Sequence, residues 1–176
     1  MAVAGLRDIE IAVPGPLTTA FLVLRMAIGP FNYRVVPFDR IMPQVIEGSA
    51  KAGLIIHEGQ VNFEERGLHK VLDLGAWWRE RTGLSLPLGV NVVKRDLGVP
   101  AGRELCELVR RSILYALENP EPALDHAGRF ARGLDRARLE QFVRMYVNHF
   151  TLDLGTEGRE AVHQLLRRAE EARLIP

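Results

Sequence analysis

The stretch Ala52-Gly53-Leu54-Ile55-Ile56-His57-Glu58-Gly59 constrains the fold of this chain more than any other. Leu54, Ile55 and Ile56 form an unbroken apolar run, the pattern of a parallel strand covered on both faces, and Gly53 and Gly59 punctuate its ends. A parallel strand needs partners reached by crossover connections, and the preceding residues have that rhythm. Residues 9–13 read as a strand broken by Pro14-Gly15-Pro16. A helix follows from near Thr18 to Ile28, closed by Gly29-Pro30. Residues 33–36 make a second short strand. Asp39 is placed to cap a helix that turns Ile41, Val45 and Ile46 inward, holds Pro43 in its first turn and stops at Gly48. The order β-α-β-α-β implies parallel neighbours in an α/β layer.

Beyond His57 the pattern loosens. Residues 60–67 form a polar loop or short helix, residues 70–74 read as another strand, and residues 75–83 as a short helix with a glycine stop. Residues 86–94 are extended, with Pro87 and Gly89 suiting an edge or crossing segment. From about Pro100 everything is helical. Leu105, Leu108, Val109, Ile113, Ala116 and Leu117 share one stripe, and a helix opened by Pro122 runs to about Arg132. Leu139, Phe142, Val143 and Tyr146 make another stripe, and Ala161, Val162, Leu165, Leu166 and Ala169 the last. The change of character divides the chain into residues 6–96, an α/β lobe, and residues 97–176, a helical segment expected to pack back on it.

Composition narrows the class of function. With a formal net charge of +1 there is no electrostatic case for nucleic acid or an anionic membrane. No apolar run is long enough to span a bilayer, and the residues after Met1 lack the charged-then-apolar pattern of a signal peptide, so a cytoplasmic location is the default. The single cysteine, Cys106, has no internal disulfide partner and reads as a packing residue in a helix. The five histidines are scattered, and no acidic or thiol partner recurs at metal-ligand spacing.

Two turns can carry chemistry. Ligands of open α/β sheets sit beyond the carboxyl ends of the strands. His57 falls at such an end, and imidazole, with an ordinary pKa of about 6.5, is suited to take a proton from a bound molecule. The alternative is a polar residue that merely ends a strand. Glu58 is not expected to orient the ring, because adjacent strand residues point to opposite faces. The second turn, Pro14-Gly15-Pro16-Leu17-Thr18-Thr19-Ala20, leads into a helix whose N-terminal N–H groups and threonine hydroxyls suit a carboxylate or phosphate. Its alternative is a threonine that caps the helix and binds nothing. Trp77 and Trp78 read as packing, and His69, His126, His149 and His163 as surface residues.

The ordered series Pro14-Gly15, Thr18-Thr19-Ala20, Asp39-Arg40-Ile41, Gly53-Leu54-Ile55-Ile56-His57-Glu58, Val71-Leu72-Asp73-Leu74-Gly75-Ala76-Trp77-Trp78, Leu86-Pro87-Leu88-Gly89 and Arg95-Asp96-Leu97-Gly98 resembles 1,4-dihydroxy-6-naphthoate synthase of the futalosine route to menaquinone. The resemblance continues through residues 112–120 and Tyr146-Val147-Asn148, and so covers nearly the whole chain. It implies a two-lobed fold like the type-II periplasmic binding proteins, with an aromatic carboxylate substrate held between the lobes. It also implies a lyase that cleaves cyclic dehypoxanthinyl futalosine to dihydroxynaphthoate and a sugar-derived fragment. The family's catalytic base falls on His57 and its substrate contacts on Thr19 and Ala20, with Thr18 beside them. Relative to that family an opening segment is missing. The first lobe is therefore expected to be incomplete, and the chain a truncated form, whether mis-started, split or relic. Alone, it is expected to be inactive and to self-associate or to need a separate N-terminal half. The competing function is a non-catalytic solute-binding module or an inactive fragment of the enzyme.

Overall fold

The computed structural model describes residues 2–131 and 133–176. Arg132, where the helix opened by Pro122 was expected to end, and Met1 lie outside the described residues. The chain forms two compact units, Met1–Leu88 with Thr156–Pro176, and Gly89–Gly155, whereas the composition shift puts the division at residues 96 and 97.

The first unit is an α/β layer. Strand β1 (Ile11–Val13) lies in the middle of a three-stranded parallel sheet, flanked by β2 (Tyr33–Val35) and β3 (Ala52–Gly53). All three residues of β1 are buried, as a central parallel strand requires. Helix α1 (Thr19–Ile28) connects β1 to β2 and buries Phe21, Val23, Leu24 and Ile28. Helix α2 (Phe38–Ile46) connects β2 to β3 and buries Ile41 and Met42. Asp39 does not cap α2; Pro37 occupies that position, and Asp39 sits in the first turn, where a negative charge opposes the positive end of the helix dipole. Pro43 lies inside α2 rather than in its first turn.

Two faces of the sheet are covered. Leu6, Ile11, Val13, Phe21, Leu24, Ile28 and Leu54 form one core cluster, and Ala12, Val36, Ile41 and Ala50 another. Burial of each such Val, Leu or Ile side chain contributes about 1.5–3 kcal/mol. Gly53 explains how closely α2 lies on β3: a Cβ there would come within 2.4 Å of Ile41 Cγ2.

The strand through Leu54-Ile55-Ile56 is shorter than its apolar run. Leu54 N–H still bonds Ala12 C=O at 2.8 Å. In a parallel ladder the next rung would run from the N–H of residue 14 to Leu54 C=O, and Pro14 has no N–H to give. The chain therefore leaves the sheet, and His57 follows in a turn rather than on a strand.

Residues 70–74 are not a strand either. Asp73 instead caps helix α3 (Leu74–Thr82), its Oδ1 accepting the Ala76 N–H at 3.0 Å. That bond, helped by Lys70, holds the Asp73 carboxyl below its ordinary pKa, although partial burial pushes the other way. Val71 and Leu72 still pack on the sheet core, which is why their apolar character resembled a strand. The extended stretch after Pro87 joins no ladder. Trp78 is a core residue, packed with Val23 of α1 and Leu165 of α8 (Gly155–Glu171). Trp77 is partly buried, with the Arg81 guanidinium 4.4 Å above its ring.

The second unit is helical. Helix α4 (Gly98–Glu118) buries none of its residues, and Leu105, Leu108, Val109, Tyr115 and Leu117 are exposed. Cys106 is exposed as well, so it is not the packing residue its setting suggested. Helices α5 (Pro120–Gly128) and α6 (Arg136–Tyr146) bury Leu124 and Leu139, and Arg136 bridges Glu121 and Asp125. A single helical turn, α7 (His149–Leu152), is closed by a capping box from Asn148 and Thr151. Among the described residues no helix is long and apolar enough to cross a membrane, and no group of three or more His, Cys, Asp or Glu side chains is placed to hold a metal ion.

Candidate active site

The strand order β2-β1-β3 locates a site before any side chain is considered. From β1 the chain moves to one side of the sheet, to β2. From β2 it crosses back over β1 to reach β3. Between β1 and β3 the direction of connection reverses, and at such a switch point the loops after the two strands part to leave a crevice. The turn holding Thr18, Thr19 and Ala20 leaves β1 there, and the turn holding His57 leaves β3.

In the turn after β1, Thr18 is extended and caps α1. Its Oγ1 accepts the Phe21 N–H at 3.2 Å and donates to Gly15 C=O at 3.0 Å. The hydroxyl proton and one lone pair are thus committed to the turn, as the capping alternative requires. Thr19 Oγ1 donates to Leu88 C=O at 2.8 Å, tying the extended segment after Pro87 to the start of the helix. Its lone pairs remain to accept. The backbone N–H groups of Thr19 and Ala20 sit in the first turn, where α-helix geometry supplies no i−4 acceptor. The Ala20 side chain packs on the sheet core, so Ala20 can serve a ligand through its N–H alone.

In the turn after β3, His57 is 9% exposed and is the N-cap of a 3₁₀ turn, Glu58–Val61. Its Nδ1 accepts the Gly59 N–H at 3.0 Å. A neutral imidazole that accepts at Nδ1 carries its proton on Nε2. The ring lies directly on Gly59: a Cβ there would come within 2.8 Å of His57 Cε1 and 3.2 Å of Nδ1 and of Met42 Sδ. The Phe38 ring stands over it from α2, centroids 5.8 Å apart and planes tilted by 55°. Because His57 is not on a strand, Glu58 does not point away as expected; its Oε2 is 3.7 Å from His57 Nδ1.

Local sequence signals do not single out Phe38 or Met42, and they mark Gly59 only as the end of a strand. Phe38 and Met42 stand four apart on α2, a spacing that puts them on one helix face and is the sequence signal that links them. Nothing local marks Gly59 as the floor beneath an imidazole. His69, His126, His149 and His163 are exposed.

A parallel α/β sheet with a buried histidine and a helix N-terminus in the two turns at its switch point has the chemical means to hold an anion and to move a proton. The chain belongs to the menaquinone biosynthesis family, whose profile matches residues 2–171. It is 48% identical over 165 residues to the 1,4-dihydroxy-6-naphtoate synthase of Thermus thermophilus, covering 94% of this chain and 61% of that protein. It is 39% identical over 179 residues to the protein of the same name from Streptomyces coelicolor, covering 98% of this chain and 64% of the relative. The chain thus spans about three fifths of the length of these curated relatives. A crystal structure of protein AF1704 from Archaeoglobus fulgidus matches with a TM-score of 0.93 at 43% identity, over 99% of this chain and 67% of that one.

Proposed function

We propose that the chain carries the base-bearing part of a 1,4-dihydroxy-6-naphthoate synthase, the lyase step that converts cyclic dehypoxanthinyl futalosine to 1,4-dihydroxy-6-naphthoate. The observation that carries this reading is the strand order, which puts the buried His57 imidazole in the turn after β3 and the α1 N-terminus in the turn after β1, the two turns that part at the switch point. The substrate carboxylate lies at the start of α1, held by the Thr19 and Ala20 N–H groups and by the Thr19 hydroxyl, which leaves Leu88 C=O to donate to it, with Thr18 shaping the turn. His57 removes a carbon-bound proton made acidic by a neighbouring carbonyl, the electron pair is delocalised into that carbonyl, and elimination follows. Aromatisation of the product ring drives the reaction forward. The chemistry asks for no metal and no redox cofactor. The relatives' shared name supports this assignment, and the two-lobed fold of the type-II periplasmic binding proteins is part of the proposal.

The test is to follow conversion of the cyclic substrate to the naphthoate with and without His57. Product formation that disappears in His57→Ala supports a lyase. Saturable binding without product in either protein supports the competing reading, a solute-binding module.

The apolar residues of α4 need cover in a functioning enzyme, since contiguous apolar surface of this kind is seldom left open on a soluble monomer. Further polypeptide or a second copy supplies it. Sedimentation of the 176-residue chain should therefore show a dimer or larger species. A stable monomer with full activity would remove the need for a partner.

A further inference from the structure

We propose that Glu58 is a positioning residue for His57: its carboxylate draws the ring proton onto Nδ1 and so leaves Nε2 able to act as the base. This rests on the reading of His57 as the proton acceptor and adds the question of which nitrogen accepts.

Two neighbours make opposite demands on one atom. The Gly59 N–H, 3.0 Å from Nδ1, needs a lone pair there and so selects the ring with its proton on Nε2. In that tautomer Nε2 has no lone pair in the ring plane, and the lone pair on Nδ1 is already taken by the Gly59 N–H. The Glu58 Oε2, 3.7 Å from the same nitrogen, needs an N–H there. A shift of less than about 1 Å brings that oxygen to hydrogen-bond distance of Nδ1.

In the active tautomer Nδ1–H donates to Glu58 and Nε2 carries the lone pair. Nε2 takes the carbon-bound proton, and the C–H electron pair stays on the substrate as an enolate. The resulting imidazolium keeps both protons and lies against a carboxylate. With the two side chains only 10% and 19% exposed, solvent screens this pair weakly. Glu58 thus acts twice, selecting the basic nitrogen before transfer and stabilising the cation after it.

The experiment compares Glu58→Gln, Glu58→Asp and His57→Ala in the complete enzyme, by steady-state kinetics and by the imidazole ¹⁵N resonances of histidine-labelled protein. Glu58→Gln should lower kcat by about 10- to 100-fold, the loss for one hydrogen bond to a charged group. KM should change little, and Glu58→Asp should recover part of the rate. The Nδ1 resonance, intermediate in the parent through exchange between tautomers, should move to the pyridine-like position in Glu58→Gln. A Glu58→Gln enzyme with parental kcat, in a background that His57→Ala inactivates, overturns the positioning role and leaves His57 as the base. If His57→Ala itself keeps its rate, the base assignment falls. The nitrogen resonances then decide alone: an unchanged Nδ1 position in Glu58→Gln overturns the proposal, and a shifted one upholds Glu58 as the residue that sets the tautomer.

Discussion

The two turns at the switch point begin alike and are built on different principles. Both follow a short parallel strand, and both place a polar side chain at the N-cap of a helical turn. In the turn after β1 the capping side chain is satisfied locally. Thr18 gives its proton to Gly15 and accepts from Phe21, so its hydroxyl serves the fold. In the turn after β3 the capping side chain is a titratable ring with a backbone donor and a carboxylate at the same nitrogen. What distinguishes a structural cap from a chemical one here is whether its neighbours agree about where the proton belongs.

The comparison breaks first at His57. His57→Ala in the complete enzyme should lower turnover by about 10²–10⁴ while ligand affinity changes much less. Near-normal turnover would reduce the two turns to the same structural role. Next comes Gly59→Ala, whose new methyl would meet the imidazole at 2.8 Å. Displacing the ring should cost about 10² in kcat. An unchanged circular dichroism spectrum with that loss would show that the glycine serves the ring rather than the fold.

Smaller effects sharpen the other side. Thr19→Val should raise the Michaelis constant by the equivalent of about 0.5–3 kcal/mol, one hydrogen bond's worth, with the fold retained. A largely unfolded variant whose folded fraction binds normally would mean that the Leu88 bond is all the hydroxyl does. The smallest changes compare two caps by denaturant unfolding. Thr18→Ala and Asp73→Ala should each cost about 0.5–2 kcal/mol near neutral pH. Thr18 does not titrate, so its cost should persist in acid. Asp73 has a folded pKa below its ordinary value of 3.8, so the stability from its ionised form is present above that value and is lost as pH falls through the folded pKa. Its exposure keeps that contribution at the low end. Equal acid sensitivity of the two variants would contradict the capping geometry at Asp73.

Much of the first unit could be read from the sequence, because its signals are local. Pro14-Gly15-Pro16 ends β1, Thr18 caps α1, and Ile11, Ala12 and Val13 form a wholly apolar central strand. Local signals mislead where a partner elsewhere in the chain decides the outcome. Leu54-Ile55-Ile56 has every mark of a strand, yet a proline just past the end of the neighbouring strand withholds the rung that would have continued it. Val71 and Leu72 pack like strand residues while Asp73 starts a helix. His57 could be found from its place at the end of an apolar run. The approach of Glu58 followed only once the chain had left the sheet, since on a strand the two side chains would have parted.

The bond from Thr19 to Leu88 has one more consequence. A hydroxyl has a single proton, and here a backbone carbonyl holds it. A ligand that takes this proton releases Leu88, and whatever keeps Leu88 in place competes with the ligand for the same hydrogen. Occupancy at the helix start and the position of the chain at Leu88 are therefore two readings of one equilibrium, and by reciprocity each shifts the other by the same factor.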